Sequence, residues 1–364
     1  MTIPKLTIRT VRSTAVVVPM ARPLGTSAQT IRSAPLLLID LETEEGVTGR
    51  AYLFCYLPMV AGLIARVLDE LLDLVKGDHV APHEIGVKLA RHFRLIGMRG
   101  IISAAVSGLD VACWDALAVA AKLPLATFLG GIPKAIPAYN SNGLGIMTPE
   151  EAANEAEELL AAGFRAIKLR LGYPTLKADL ATTRAIRNRL ADDVHLMVDF
   201  NQALTLAEAL LRGRALDEEG LFWIEEPIRH DDYIGCATLA SELATPIQIG
   251  ENFAGPQAMA AAIDAQAADY MMPDLERIGG VSGWQRAASL AAAVGVELSS
   301  HLYPEVSAHL LAVSPTCHWL EYVDWATPIL AEPLQIVDGA AIASDRPGVG
   351  LSWNEDAVAR YRIN

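Results

Sequence analysis

Ionisable residues recur along the second half of the chain at intervals that match one strand followed by one helix. Each comes at or near the end of a short apolar run, and the successive spacings along the series Asp199, Glu225, Glu251, Asp274, His301 and Glu321 are 26, 26, 23, 27 and 20 residues. A single acid at a strand end usually caps a helix or faces solvent. A whole series is different, because crowded carboxylates repel one another unless a cation lies among them. We therefore expect one shared functional site.

Three consecutive members of the series, Asp199, Glu225 and Glu251, offer only carboxylate oxygens. Oxygen ligands without cysteine select a hard cation, Mg²⁺ or Mn²⁺. Three protein ligands leave about three of the six octahedral positions for water and substrate. Such an open coordination sphere is typical of a catalytic metal, and the sequence predicts one here.

Basic residues on other strands predict acid–base chemistry beside this metal. Lys168 and Arg170 are two residues apart on one strand, so both side chains point to the same side. Asp274 precedes His301 by one strand–helix unit and is placed to hydrogen-bond the second imidazole nitrogen. Such a bond fixes the tautomer of a histidine and raises its basicity. His301 is therefore the candidate base, with Asp274 as its partner.

The elements that would position these residues are short buried strands alternating with Ala-rich helices. Eight apolar runs follow residue 135: AIPAYNS, FRAIKLR, VHLMVDF, LFWIEEP, TPIQIGE, ADYMMPD, GVELSSH and HWLEYVD. Continuous apolar runs separated by helices indicate parallel strands buried on both faces. The pattern lacks GxGxxG, which disfavours a dinucleotide-binding sheet. We predict an α/β fold in which residues 131–327 form a modified (β/α)8 barrel of the TIM type, with the site at its C-terminal mouth.

The remaining residues predict an α+β capping domain over 1–130 that is completed by residues 328–364. Two strands, Leu6–Val18 and Leu36–Glu42, flank a segment, Ala21–Ser33, that we predict to be neither strand nor helix. Three helices follow, over Pro58–Val75, Pro82–His92 and Gly100–Ala121. The third is apolar on nearly every face, which predicts packing against the neighbouring domain. The tail cannot join a closed barrel, so we expect it to return to the first domain.

Composition narrows the class of partner. The formal net charge is −14, so a nucleic acid or an anionic membrane is not expected to be the partner. The four cysteines are far apart and form no CxxC pair, which argues against a disulfide framework or a thiolate zinc site. The N-terminal stretch is typical of a strand and not of a signal peptide. We expect a cytoplasmic protein.

Motifs spread along essentially the whole chain resemble the enolase superfamily, and within it the mandelate racemase subgroup. The barrel carries KLR (168–170), MVDFNQ (197–202), WIEEP (223–227), GEN (250–252), MPD (272–274), IGGVSGW (278–284), SSHLYPEVSAHLL (299–311) and HWLE (318–321). The first domain carries RPLGTSA (22–28), APLLLIDL (34–41), YLFCY (52–56) and GLDVACWDAL (108–117). Together these motifs are specific for the mandelate racemase subgroup, although no single motif is.

The resemblance implies a role for each site residue. Mg²⁺ would be held by the three carboxylates, Lys168 would neutralise the substrate carboxylate, and Glu321 would be a protonated acid that donates to it. His301 and Asp274 would form an acid/base dyad. A cap loop and accessory polar groups would contact the substrate through Leu24, Ala28, Ile31, Phe54, Tyr56, Ser141 and Asn201. Members of the subgroup are homo-oligomers, so an octamer or a dimer is implied.

One departure from the subgroup leaves three functions open. Arg170 stands where mandelate racemase has a second lysine base, and a guanidinium does not give up its proton in proteins. The chain is then a racemase acting through an enediolate, an acid-sugar dehydratase with His301 as single acid/base, or an inert carboxylate-binding barrel. The apolar cap residues, with Leu302 and Val323 near the barrel mouth, favour a mandelate-type racemase, although Arg22, Thr26 and Arg32 add polarity nearby.

Overall fold

The computed structural model describes residues 5–363, so residues 1–4 and 364, which the predicted domain bounds include, lie outside it. The chain begins with a three-stranded antiparallel sheet in the order β1-β2-β3. Its strands are β1 (Ile8–Gly25), β2 (Thr30–Thr43) and β3 (Thr48–Phe54). Four helices follow: α1 (Pro58–Val75), α2 (Pro82–His92), α3 (Ile101–Ala121) and the single turn α4 (Leu125–Phe128).

The predicted loop between the first two strands is wrong, because both strands continue through most of it as a hairpin. Leu24 pairs with Ile31 and Gly25 with Thr30, after a register shift between Pro19 and Leu24. Prolines are tolerated here because β1 lies at the edge of the sheet and needs no donor on its free side. The sequence analysis also missed β3 as a third strand. The hairpin carries cap residues towards the barrel.

Helix α3 joins the cap to the barrel, as its apolar sequence predicts. It packs between β3 and two barrel helices, α10 (Leu275–Ile278) and α11 (Gly280–Val294). The Trp114 indole donates to Ser282 Oγ at 2.9 Å, and Asp110 accepts from the Ser282 backbone N–H at 2.9 Å. Among the described residues, α3 is the helix that is long and apolar enough to cross a membrane. However, 67% of its most apolar 18-residue stretch is buried in the fold.

Eight short parallel strands of the described chain close into the predicted barrel. They are β4 (Ala135–Asn140), β5 (Ala166–Arg170), β6 (His195–Asp199), β7 (Ile224–Glu225), β8 (Ile247–Ile249), β9 (Tyr270–Met271), β10 (Glu297–Leu298) and β11 (Leu320–Tyr322). The outer helices besides α10 and α11 are α5 (Pro149–Leu160), α6 (Leu176–Arg187), α7 (Leu206–Leu216), α8 (Tyr233–Glu242), α9 (Pro256–Asp264) and α12 (Pro304–Ala312). Strands β4 to β10 pair with their neighbours in chain order, and β11 pairs with β4. An isolated bridge between Leu298 of β10 and Cys317, just before β11, closes the ring.

The eighth strand of the barrel is not followed by a helix of its own. Within the described residues, β11 leads to a 3₁₀ turn (Thr327–Ile329), the hairpin β12 (Gln335–Val337) and β13 (Ala340–Ile342), and α13 (Glu355–Tyr361). β13 pairs antiparallel with the start of β4, so part of the tail does add to a barrel strand, contrary to expectation. The β4 residues that pair with β13, 135–137, precede those that pair with β5 and β11. The last residues reach the cap, where Val16 and Arg362 form a bridge.

Candidate active site

Asp199, Glu225 and Glu251 meet at the C-terminal mouth of the barrel. Each offers a carboxylate oxygen, and the three oxygens lie within 4.8 Å of one another. Asp199 and Glu225 are the last residues of neighbouring strands β6 and β7, and Glu251 comes two residues after the end of β8. Asp199 and Glu225 are fully enclosed, at 2% and 0% exposed. The register of three adjacent parallel strands therefore builds this cluster.

Fixed donors orient the carboxylates of the cluster. The Asn201 backbone N–H donates to Asp199 Oδ1 at 2.7 Å, and its side-chain amide donates to Oδ2 at 3.0 Å. Trp223 Nε1 and Gln248 Nε2 both donate to Glu225 Oε2, at 3.2 and 3.3 Å. Hydrogen bonds of this kind fix the direction of the remaining lone pairs on metal ligands.

The cluster fits Mg²⁺ by the chemistry of its donors. Burial raises the pKa of Glu225 to about 8; the attraction of Lys168 does not offset this, since neighbouring carboxylates including Asp199 repel its ionised form. Burial likewise raises the pKa of Asp199. A divalent cation would remove both penalties, and an all-oxygen set suits a hard ion. The predicted Mg²⁺ site is thus supported by the geometry.

Lys168 lies at the centre of the anionic residues. Its ammonium is 1% exposed and lies 2.5 Å from Glu225 Oε1, 2.8 Å from Glu321 Oε1 and 3.5 Å from Asp199 Oδ2. Burial lowers the pKa of Lys168, but the surrounding carboxylates outweigh this and raise it well above its usual range. Lys168 is therefore a permanent positive charge at the floor of the site, placed to attract a substrate carboxylate.

Glu321 does not have the surroundings of a protonated acid, which the family resemblance implied. Its Oε1 accepts from Ser141 Oγ at 2.7 Å and from Lys168, and its Oε2 accepts from the Leu302 backbone N–H at 2.9 Å. Burial raises the pKa of Glu321, but the positive charges of Lys168 and His301 lower it by a larger amount. The pKa of Glu321 therefore lies below its usual value. With donors on both oxygens, Glu321 is an ionised acceptor in this structure.

His301 and Asp274 form the predicted pair on adjacent strands. His301 Nδ1 lies 2.6 Å from Asp274 Oδ2, while Asp274 Oδ1 accepts from the backbone N–H groups of Glu276 and Arg277 at 2.7 and 3.1 Å. Asp274 is therefore both a helix cap and an orienting group. The other imidazole nitrogen, Nε2, faces the site, 3.2 Å from Glu251 Oε2. This geometry leaves Nε2 as the nitrogen that exchanges a proton.

The protonation of His301 depends on the charges around it. Burial lowers the pKa of His301, but Glu251, Glu321 and Asp274 attract its charged form and raise the value to about 9. A cation held by Glu251 would cancel part of that attraction and move the pKa of His301 downward. Neutral imidazole, the form that accepts a proton, is then favoured when the metal site is filled.

Arg170 is held by its neighbours in a fixed position. Its Nη1 donates to the backbone carbonyls of Ser141 at 2.7 Å and Gly143 at 3.1 Å, and its Nη2 donates to Ser141 Oγ at 2.7 Å. The Arg170 side chain is buried, and its Nε–H has no acceptor among residues 5–363. The Ser141 hydroxyl accepts from Arg170 and so donates its own proton to Glu321. Arg170 thereby orients Glu321 as well.

A cavity of about 140 Å³ lies above these groups, between the barrel mouth and the cap. Most residues predicted to contact substrate line it: Leu24, Ala28, Ile31, Phe54, Tyr56, Asn201 and Leu302. Ser141 and Val323 do not. Ser141 lies behind Glu321 and Arg170, and the residue that reaches the cavity from the Val323 loop is Trp325. The walls are thus apolar except on the barrel side and at the hairpin tip.

Several residues of the site were missed by the sequence analysis. Gln29 and Trp325 line the cavity beside Thr26, which the sequence had placed nearby. Arg277 donates to the Glu251 carbonyl at 3.1 Å, to Asn252 Oδ1 at 2.6 Å and to Tyr56 Oη at 2.9 Å. A signal for Arg277 exists, because it lies in the first helical turn after Asp274 and must project near the barrel mouth.

Comparison with known proteins matches nearly the whole chain to one family. Residues 151–357 match the model for the enolase C-terminal domain-like family. Residues 8–130 match the model for the N-terminal domain of mandelate racemase and muconate lactonizing enzyme. The two matched ranges cover the barrel from α5 onward with most of its tail, and the cap.

Individual relatives span the same length. L-talarate/galactarate dehydratase of Salmonella typhimurium is 32% identical over 93% of this chain and 87% of its own. An enolase of the alpha-proteobacterium bal199, solved with bound Mg, is 48% identical, with a TM-score of 0.96 over 98% of this chain and 100% of its own. An enolase of Bradyrhizobium, solved with magnesium and mandelic acid, is 40% identical, with a TM-score of 0.96 over 100% of both chains. These matches confirm the predicted fold and resemblance, and the chain belongs to the enolase superfamily, within the mandelate racemase and muconate lactonizing enzyme family.

Proposed function

We propose that this chain is a Mg²⁺-dependent dehydratase of a small 2,3-dihydroxycarboxylate, with His301 as its one acid/base residue. The observation that carries this proposal is the fixed position of Arg170, whose terminal nitrogens donate to two carbonyl oxygens and a hydroxyl. Removing a proton from Nη1 would set a lone pair against a carbonyl oxygen, and a guanidinium does not give up its proton in proteins. Arg170 therefore stays a cation and leaves one face of the substrate without a base.

The substrate carboxylate would bind between positive groups. Lys168 supplies one charge, and the unpartnered Nε–H of Arg170 supplies a hydrogen-bond donor in the cavity wall. Mg²⁺, held by Asp199, Glu225 and Glu251, would add further positive charge where the carboxylate accumulates negative charge. Loss of an α-proton beside an ionised carboxylate creates a second negative charge, which is the main energetic barrier. The positive groups would stabilise that charge where it forms.

The reaction needs one proton carrier on one face. His301 Nε2 takes the proton from the α-carbon, and the electron pair of that C–H bond moves into the carboxylate. The pair then returns to form a carbon–carbon double bond as the C–O bond at the β-carbon breaks. The departing hydroxide takes the proton back from His301 and leaves as water. The resulting enol tautomerises to a 2-keto-3-deoxy acid, so atoms and electrons balance.

The cavity walls restrict the rest of the substrate. Beyond the charged floor, the wall is mainly apolar and includes Leu24, Ile31, Phe54 and Trp325. A long polyhydroxy chain would leave hydroxyl groups unpaired against these side chains, which is costly. We therefore expect a short substrate or one whose distal carbons lack hydroxyl groups. Asn201 Oδ1, which is buried and has no donor in the described chain, is placed to accept one remaining hydroxyl.

The test is a panel of 2,3-dihydroxycarboxylates, short and long, with and without distal hydroxyls, incubated with the enzyme and Mg²⁺. We expect a 2-keto-3-deoxy acid from at least one short or distally deoxygenated member, and none after His301→Asn. Full turnover in excess chelator would contradict the metal assignment. Turnover of long polyhydroxy acids alone would contradict the substrate class, while leaving the chemistry intact.

A mandelate-type racemase is the second candidate, and the apolar cavity wall favours it. The Bradyrhizobium relative was solved with mandelic acid, a 2-hydroxycarboxylate that has an aryl group and no β-hydroxyl to lose. This function would require Arg170 to exchange a proton on the face opposite His301. Interconversion of (R)- and (S)-mandelate, followed by polarimetry, would establish it.

A further inference from the structure

We propose that Arg277 is a positioning residue whose placement by Tyr56 of the cap keeps the Glu251 carboxylate free for the metal. The proposal rests on the metal site proposed above and extends it to the cap. Arg277 is on α10 of the barrel and is the residue through which a cap side chain reaches a metal ligand. No substrate is involved in this contact.

Three acceptors hold the Arg277 guanidinium away from the carboxylate. Its Nη1 donates to Asn252 Oδ1 at 2.6 Å and to the Glu251 backbone carbonyl at 3.1 Å, whereas the Glu251 carboxylate oxygen Oε1 is 3.5 Å away. Its Nη2 donates to Tyr56 Oη at 2.9 Å. The distance to Oε1 is too long for a strong charge-assisted hydrogen bond.

Tyr56 is fixed well enough to hold Arg277. It follows β3, its backbone has a φ of 57°, and its ring packs 4.4 Å from the Phe54 ring between centroids. The Arg277 guanidinium also lies 5.3 Å from the centre of the Tyr56 ring, where a cation is attracted to the π face. Without the Tyr56 hydroxyl, Nη2 loses its acceptor, and the Glu251 carboxylate already lies 3.5 Å from Nη1 of the same guanidinium.

Arg277 and a metal ion compete for the same carboxylate. A guanidinium paired closely with Glu251 would occupy lone pairs that the cation needs and would offset the charge that attracts it. Contact between Tyr56 and Arg277 should therefore strengthen metal binding. By thermodynamic reciprocity, metal binding should also stabilise the docked position of the cap segment that contains Tyr56.

The experiment is a cycle of Mg²⁺ dissociation constants, measured by titration calorimetry on the metal-free full chain. The variants are Tyr56→Phe, Arg277→Gln and the double variant. We expect Tyr56→Phe to weaken Mg²⁺ binding by about fivefold or more, the lower end of typical coupling between sites. In the Arg277→Gln background, the same change should have no effect.

Tyr52→Phe is the matched control. It also removes a hydroxyl that docks the cap on the barrel, since Tyr52 Oη donates to Glu305 at 2.6 Å, but it does not touch Arg277. Its Mg²⁺ affinity should equal that of the wild type. Equal weakening by Tyr52→Phe and Tyr56→Phe would show general loosening of the cap and overturn the proposal.

The remaining outcomes separate this proposal from the metal site itself. Unchanged affinity in Tyr56→Phe, with wild-type binding intact, would overturn the role of Arg277 alone. Absence of Mg²⁺ binding in the wild type would overturn both. Hydrogen exchange gives a second measurement that does not depend on whether Arg277→Gln folds: Mg²⁺ should slow exchange around residues 54–57 in the wild type and less so in Tyr56→Phe.

Discussion

Arg170 shows how the contacts of one residue decide between related reactions. Its type is plain in the sequence, and the sequence already predicts that a guanidinium is a poor base. The sequence does not reveal that the backbone carbonyl oxygens of Ser141 and Gly143 accept hydrogen bonds from Arg170 and so favour its protonated form. Those carbonyls belong to the loop after β4, and their direction depends on the path of that loop.

Replacing Arg170 by lysine should supply the missing second base. An amine loses its proton far more readily than a guanidinium, and a positioned general base contributes about 10²- to 10⁴-fold to a rate. We expect Arg170→Lys to invert mandelate at least about 10²-fold faster than Arg170→Met, as measured by polarimetry. Arg170→Met, which adds no base, is the control. A lysine variant that inverts no faster would mean that Arg170 does not limit the second face.

The positions of the metal ligands were predictable, whereas the contacts of Arg277 and the position of Trp325 were not. Asp199, Glu225 and Glu251 follow from strand spacing alone, because parallel strands in a ring bring their ends together. Arg277 and Trp325 lie beyond strand ends, in segments whose direction depends on tertiary packing. Glu321 was predictable in place but not in protonation, since its charge depends on Lys168 and Ser141.

At the scale of elements, the contact between β3 and α3 joins the cap sheet to the helix that packs on barrel helices α10 and α11. A Cβ added at Gly49 of β3 would lie 2.0 Å from the Ala112 carbonyl oxygen and 2.7 Å from the Ala116 N. Both atoms are backbone of α3 and cannot move aside as a flexible side chain would. The strand and the helix therefore touch directly, and glycine at position 49 permits this.

Gly49→Ala should reduce stability by about 1 to 3 kcal/mol, the usual cost of overpacking. Gly62→Ala is a matched control, because Gly62 is an exposed position inside α1 with no atom within 4 Å of an added Cβ. There alanine should stabilise the protein by up to about 1 kcal/mol. Urea unfolding followed by circular dichroism measures both. Equal stabilities of the two variants would contradict the close approach of β3 and α3.

The elements themselves were predicted with uneven success, for physical reasons. Helices α1 and α2 match their predicted bounds, because a helix repeats its apolar pattern and each begins with a proline. The hairpin over residues 21–33 was missed because its polar composition hides strand pairing that depends on contact with the barrel loop. Ile146 N, for example, donates to the Gly25 carbonyl at 3.0 Å.

At the scale of the whole molecule, the two domains are interlocked by both ends of the chain. The tail pairs with β4 through β13 and then bridges to β1 near Val16. Helix α12 contacts α4 at the junction, where His309 Nδ1 accepts from the Ala126 backbone N–H at 3.3 Å. His309 and Ala126 are both fully buried, so a charge at His309 would affect the stability of the whole fold.

Stability should fall at acid pH because of His309. Burial lowers the pKa of His309 to about 4, below the value of about 6.5 of an unfolded histidine. The stabilisation from its neutral form is fully present above about pH 6.5 and is lost as the pH falls through 4. The loss from this residue is on the order of 3 kcal/mol. Unfolding free energies at several pH values should show a shallower decline in His309→Gln, and an identical decline would contradict the assignment.

In the proposed reaction, His301 alone removes an α-proton from a 2-hydroxycarboxylate at the Mg²⁺ site. The most direct test is proton NMR of each mandelate enantiomer, incubated with the enzyme and Mg²⁺ in D₂O. We expect the α-proton signal of one enantiomer to disappear without inversion, and this exchange to be absent in His301→Asn. Exchange with inversion of both enantiomers, or exchange that survives the loss of His301, would contradict the account.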